Sequence, residues 1–166
     1  MRSSRRRNAF TLIEVLIVVV IMAVLAATII PQFSSSSKDA KQSALKFDVH
    51  TLRSQIELYK VHHLGSLPTV QNNSLPQLVQ YTNASGGTSA TSDAAHPYGP
   101  YINGELPRNP FDGQNRVVSV SLGGVAPTAV ADAAGGWQYD PATGHIWPNN
   151  AEYFGAGGEG SADFLK

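Results

Sequence analysis

The chain contains no cysteine. That excludes disulfides and thiolate metal sites, and it leaves cysteine usage silent about the redox compartment. Charge is also sparse, with Asp, Glu, Lys and Arg together making up 14% of the residues. Beyond the first seven positions the basic side chains are scattered and form no basic-aromatic cluster, so no nucleic-acid partner is expected. No catalytic constellation is present either. The histidines, His50, His62, His63, His96 and His145, have no metal-ligand spacing with the flanking acids and read as surface or packing residues. Ser34–Ser37 is a run of hydroxyls with no base nearby in sequence, which reads as a solvated linker.

What the chain does have is one long apolar run. Phe10 to Ile30 is 21 residues with one formal charge, Glu14. As an α-helix it is roughly 31 Å long, about the thickness of a bilayer hydrocarbon core. Arg2, Arg5, Arg6 and Arg7 precede it and no base follows until Lys38. The basic flank is expected to stay cytoplasmic, with the rest of the chain facing outward. A secretory signal peptide would need an apolar region of only about 7–15 residues and a small-x-small cleavage site. Ala27 and Thr28 imitate such a site, but Ile29, Ile30 and Pro31 suit it poorly. A simple signal anchor explains length and orientation but leaves Glu14 unexplained, and a carboxylate in a membrane helix is a functional hypothesis by default.

The chain of 166 residues has room for one domain beside this helix. The helix is expected to continue past Pro31, where a kink is expected, with a loosened section at Gln32–Ser37. Leu45, Val49, Leu52, Ile56, Tyr59 and His63 recur at alternating spacings of four and three, one apolar stripe that needs a partner. Leu64-Gly65 supplies the stop.

After position 64 the chain is rich in glycine and proline. Ser74–Asn83 reads as a short helix capped by Ser74, and Ser85–His96 reads as mobile. Tyr98–Asn115 is forced into turns by its prolines and glycines. Arg116–Leu122 reads as a strand. Gly136–Asn149 has the pattern of a β-hairpin turning at Asp140–Gly144, with Trp137, Tyr139 and Trp147 as an aromatic cover for the helix stripe.

The segment RRRNA-FTLIEVLIVVVIMAVLAATIIPQF resembles the signal and N-terminal helix of type IV pilins and type II secretion pseudopilins. The turn-rich segment YGPYINGELPRNPFDGQN resembles the GPYL…LPxDPWGxPY segment of the major, G-type pseudopilin, with Phe111 in place of Trp. The resemblance implies an α+β, pilin-like fold: a long N-terminal helix packed on a small antiparallel sheet with long loops. It divides the chain into a leader (1–9), a transmembrane and assembly helix (10–31), its amphipathic continuation (32–64), a globular loop-and-sheet domain (65–149) and a flexible tail (150–166).

Further implications come from the same resemblance. A prepilin peptidase would cut between Ala9 and Phe10, although the family usually carries Gly before the cut. Phe10 would be N-methylated, and Phe10 and Glu14 would direct assembly. Removing residues 1–9 leaves 8 basic against 12 acidic residues. The implied product is a non-enzymatic subunit of a secretion pseudopilus, anchored in the inner membrane with its C-terminal domain outside. It would self-assemble with the help of an inner-membrane platform and a secretion ATPase. The alternatives are a type IV pilus subunit for adhesion, motility or DNA uptake, and a membrane-anchored enzyme or binding module. No cofactor is expected, with one reservation: G-type pseudopilins often hold calcium in a C-terminal loop. The weak candidates for it here are Asp112, Asp132 and Asp140, since the D-x-[DN]-x-[DN]-G pattern is absent.

Overall fold

The computed structural model of the chain describes residues 10–128, 130–131 and 135–154. It contains two compact units, divided between Ala40 and Lys41. Helix α1 spans Leu12–His62 and contributes to both. Its backbone is helical through Pro31 and through the stretch at 32–37 where loosening is expected. The helix ends where the sequence expects. Gly65 N–H donates to the Lys60 carbonyl at 2.8 Å, and Leu64 takes a left-handed φ of 55°. This is a Schellman stop with Leu64, rather than a glycine, in the left-handed position.

In the first unit every described side chain from Phe10 to Ala40 is exposed. The segment Leu12–Ile29 is long and apolar enough to cross a membrane. The Thr28 hydroxyl within it donates to the Leu25 carbonyl at 2.9 Å, so it carries no unmet donor into an apolar setting.

The second unit is built around the amphipathic part of α1. Leu45, Val49, Leu52, Ile56, Tyr59 and His63 are all buried, as their period requires. The first five pack with Leu75, Leu78, Leu106, Val117, Trp137, Tyr139 and Ile146, and His63 stacks on Tyr59. Three strands supply much of that cover: β3 (Val117–Ser119), β4 (Trp137–Tyr139) and β5 (Ile146–Pro148). They pair in the order β3-β4-β5. β4 and β5 form the expected hairpin, with Trp137 opposite Pro148 and Tyr139 opposite Ile146. β3, however, runs parallel to β4, with Val117 opposite Trp137. The sheet is therefore mixed, not antiparallel. A parallel pair needs a long connection, and residues 120–136 provide it.

Two local expectations are corrected. The short helix α2 is confined to Pro76–Val79, its N-cap is Leu75, and no side chain caps it. The residues expected to continue it, Tyr81–Thr82 (β1), instead pair antiparallel with Thr88–Ser89 (β2). Residues 85–96 thus carry a strand and a turn in which Asp93 accepts from the His96 backbone N–H at 2.8 Å. The tail is also corrected at its start. Asn150 is buried, Ala151–Phe154 forms helix α3, and Tyr153 is 3% exposed in the core. Residues 155–166 lie outside the described residues.

Hydrogen bonds tie the sheet to α1 and to the loops beside it. The Arg53 guanidinium donates to the Ile146 carbonyl at 3.1 Å, Tyr139 Oη donates to the Pro68 carbonyl at 2.9 Å, and Trp137 Nε1 donates to the Pro107 carbonyl at 2.9 Å. Burial, with Tyr59 and Asp140 nearby, pushes the Tyr139 phenol well above its ordinary pKa, so it stays a neutral donor.

Candidate assembly site

The candidate site begins at the first turn of α1. Thr11 is the N-cap and Glu14 the third residue of the helix. Thr11 N–H donates to Glu14 Oε2 at 2.8 Å and Thr11 Oγ1 donates to the same oxygen at 2.7 Å. Glu14 N–H donates back to Thr11 Oγ1 at 3.3 Å. This is a capping box, which satisfies donors that the start of any helix leaves unpaired. Both bonds to the carboxylate fall on Oε2. In the sequence, Thr-x-x-Glu directly before an apolar run is the legible signal for this cap.

Phe10 is 85% exposed. With Glu14, Val15, Ile17, Val18 and Val19 it lines a shallow apolar groove. The site is thus one carboxylate at the end of a wholly apolar, uncovered helix surface. Such a surface is stable only in lipid or against other apolar helices. In either setting an unpaired carboxylate is costly. Ala9, the other residue of the expected cleavage site, lies outside the described residues, and so do the leader arginines.

The calcium candidates do not converge on a cation site. Asp112 is exposed and its Oδ1 accepts from Gln114 N–H at 2.8 Å. Partial desolvation of the carboxyl raises the Asp112 pKa, against that hydrogen bond. Asp140 is 0% exposed. Its Oδ1 accepts from Ala142 N–H at 3.0 Å, and its Oδ2 accepts from Leu122 N–H at 3.1 Å and Gly124 N–H at 3.2 Å. Burial alone would raise the Asp140 pKa, but these amides outweigh it and hold the carboxyl below its ordinary range. Asp132 lies outside the described residues. No cluster of three His, Asp or Glu side chains able to hold a metal occurs among the described residues. The described carboxylates therefore do not fit calcium as they stand: N–H donors already surround the one that is buried.

Comparison with known proteins places the chain. The Prokaryotic N-terminal methylation motif family matches residues 4–30, and the Type II secretion system (T2SS), protein G family matches residues 32–123. Type II secretion system core protein G of Dickeya chrysanthemi is 30% identical over 115 residues, covering 69% of this chain and 70% of its own length. The protein of the same name from Pectobacterium carotovorum is 27% identical over 150 residues, covering 84% and 90%. That of Vibrio cholerae is 28% identical over 121 residues, covering 72% and 75%. No solved structure gives a significant match. The exposed apolar half of α1, the packed amphipathic half with its small sheets, and these matches agree: the chain belongs to the type II secretion system protein G family, the structural pseudopilins of the type II secretion pseudopilus.

Proposed function

We propose that the chain becomes assembly-competent by losing residues 1–9, and that the new ammonium on Phe10, once N-methylated, pairs with Glu14 of the neighbouring subunit. The observation that carries this reading is the solitary carboxylate on the exposed apolar surface of Leu12–Ile29. A buried carboxylate without a cation is costly, and a terminal ammonium is the cation that processing at Ala9–Phe10 creates. Apolar contacts of Leu12, Ile13, Val15, Leu16 and Val19 with their counterparts then hold the filament core, and the ion pair sets its axial register. Pro31 provides a kink where the helix leaves the apolar layer.

Before assembly the helix spans the inner membrane with its arginine-rich end cytoplasmic and the second unit outside. Prepilin peptidase, an inner-membrane platform and a secretion ATPase act on it from that side. The subunit itself is not an enzyme; growth of the filament helps drive protein export. The match to protein G over residues 32–123 favours this over a type IV pilus role.

Mass spectrometry of the membrane-extracted protein tests the reading at its root. The expected chain begins at a methylated Phe10. A chain that keeps residues 1–9 has no ammonium on Phe10 to offer, and that result removes the proposed pair. Ala9→Gly is expected to leave processing intact or improve it.

A further inference from the structure

The loop that leaves β3 and the turn that joins β4 to β5 are separate in sequence, and one side chain ties them. Asp140 is the residue directly after β4. Its backbone is fixed in the turn: its N–H donates to the His145 carbonyl at 2.9 Å and its carbonyl accepts from Gly144 N–H at 2.8 Å. Its side chain is therefore aimed before it makes any contact. One carboxylate oxygen then takes Ala142 N–H within the turn. The other takes Leu122 and Gly124 N–H from the loop after β3.

A divalent cation orders irregular backbone by collecting oxygens around a positive charge. Here the polarity is reversed, because a buried negative charge collects backbone N–H groups. The two devices compete at one carboxylate. A cation binding Asp140 would contend with the N–H donors already on the oxygen it takes, and a buried carboxylate stripped of those bonds is costly.

We propose that Asp140 is a metal-free latch, holding the loop 120–124 against the β4–β5 turn without calcium. The inference concerns the second unit and stands or falls independently of the Phe10–Glu14 pairing.

The test uses the full-length protein in detergent micelles, with about 5 mM calcium chloride or with excess chelator. Thermal melting and amide hydrogen exchange are read in both. The expected wild-type midpoint is the same in the two buffers, with the Leu122, Gly124 and Ala142 amides protected in each. Asp140→Asn is expected to lower the midpoint by about 5 °C or more. It should lose protection at those three amides while Trp137 in β4 keeps its own, and calcium should restore nothing. A midpoint that rises by several degrees with calcium overturns the latch. So does protection of Leu122 and Gly124 that appears only with calcium, or an Asp140→Asn variant whose exchange is unchanged. If Asp140→Asn does not fold, the wild-type exchange pattern alone decides: calcium-independent protection supports the latch and calcium-dependent protection overturns it.

Discussion

Leu64 shows what a single residue can cost this fold. Its φ of 55° lies in the left-handed region, where a side chain with a Cβ is penalised by about 1–2 kcal/mol. The position is imposed by the Schellman turn, which needs one left-handed residue to bring Gly65 N–H onto the Lys60 carbonyl. The Leu64 side chain is 95% exposed, so it buries nothing in return. Leu64→Gly is therefore expected to stabilise the protein by about 1 kcal/mol, less what the unfolded chain gains in freedom. Thermal melting should show a midpoint raised by a few degrees; a lowered one would mean that Leu64 makes a contact worth more than its strain. Sequence and structure meet closely at this scale. Leu64-Gly65 reads as a stop because glycine and left-handed backbone go together, yet the pattern does not say which of the two residues takes the C′ position. Thr11 is the opposite case, a capping residue spelled out by Thr-x-x-Glu and overshadowed by the apolar run behind it.

Among the elements, β4 is the one on which the second unit closes. All three of its residues, Trp137, Gln138 and Tyr139, are buried, and it has a partner on each side. The approach of the chain at its start to the loop at 114 leaves no room for a side chain at Gly136, where an added Cβ would collide with the Gln114 carbonyl oxygen. Backbone cannot rotate away as a side-chain tip can. Gly136→Ala is thus expected to push β4 or the loop aside and to cost about 1–3 kcal/mol. A urea titration would show a lower midpoint, and an unchanged midpoint would mean that the strand does not lie this close.

The amphipathic stripe on α1 was legible because it rests on a local period: residues three and four apart share a face whatever lies opposite. The β4–β5 hairpin was legible for the same reason, since Asp140–Gly144 is a turn in its own right. The parallel pairing of β3 with β4 was not, because strand direction is settled by a connection of residues 120–136 whose path no local pattern records. α2 was misplaced for a related reason. Tyr81 and Thr82 have helix-compatible neighbours, but pairing with Thr88 and Ser89 claims their backbone. Tyr153 follows a glycine-free stretch too short to announce itself, and only the core it fills reveals its role.

For the whole molecule, the decisive fact is that its two units bury apolar surface in opposite ways. The unit from Lys41 onward closes its own core around Leu52, Trp137 and Tyr139. The unit before it leaves Leu12 to Ile29 uncovered. A chain made this way has an apolar helix that must be covered by lipid or by other subunits, and in the proposed assembly Glu14 decides between those environments. Glu14→Leu makes the anchor more apolar, so membrane insertion and leader cleavage should persist or strengthen. It removes the carboxylate proposed to meet the Phe10 ammonium of the next subunit. Each subunit added would then bury an unpaired positive terminus, at a cost of roughly 3–5 kcal/mol for a broken buried pair. Repeated at every step, that cost should slow growth severely or abolish it. The variant also loses one half of the capping box with Thr11. That loss is worth only about 1 kcal/mol, and it weakens the helix start without acting at each addition. Thr11→Val, which keeps the carboxylate and loses the hydroxyl, separates the two effects. Overexpression with the assembly machinery, electron microscopy of surface filaments and membrane fractionation read the outcome. The expected result is Glu14→Leu in the membrane at normal levels with few or no filaments, and Thr11→Val with more filaments than Glu14→Leu. Normal filaments from Glu14→Leu would remove the ion pair from the assembly mechanism, and absence of the variant from the membrane would place the action of Glu14 at insertion instead.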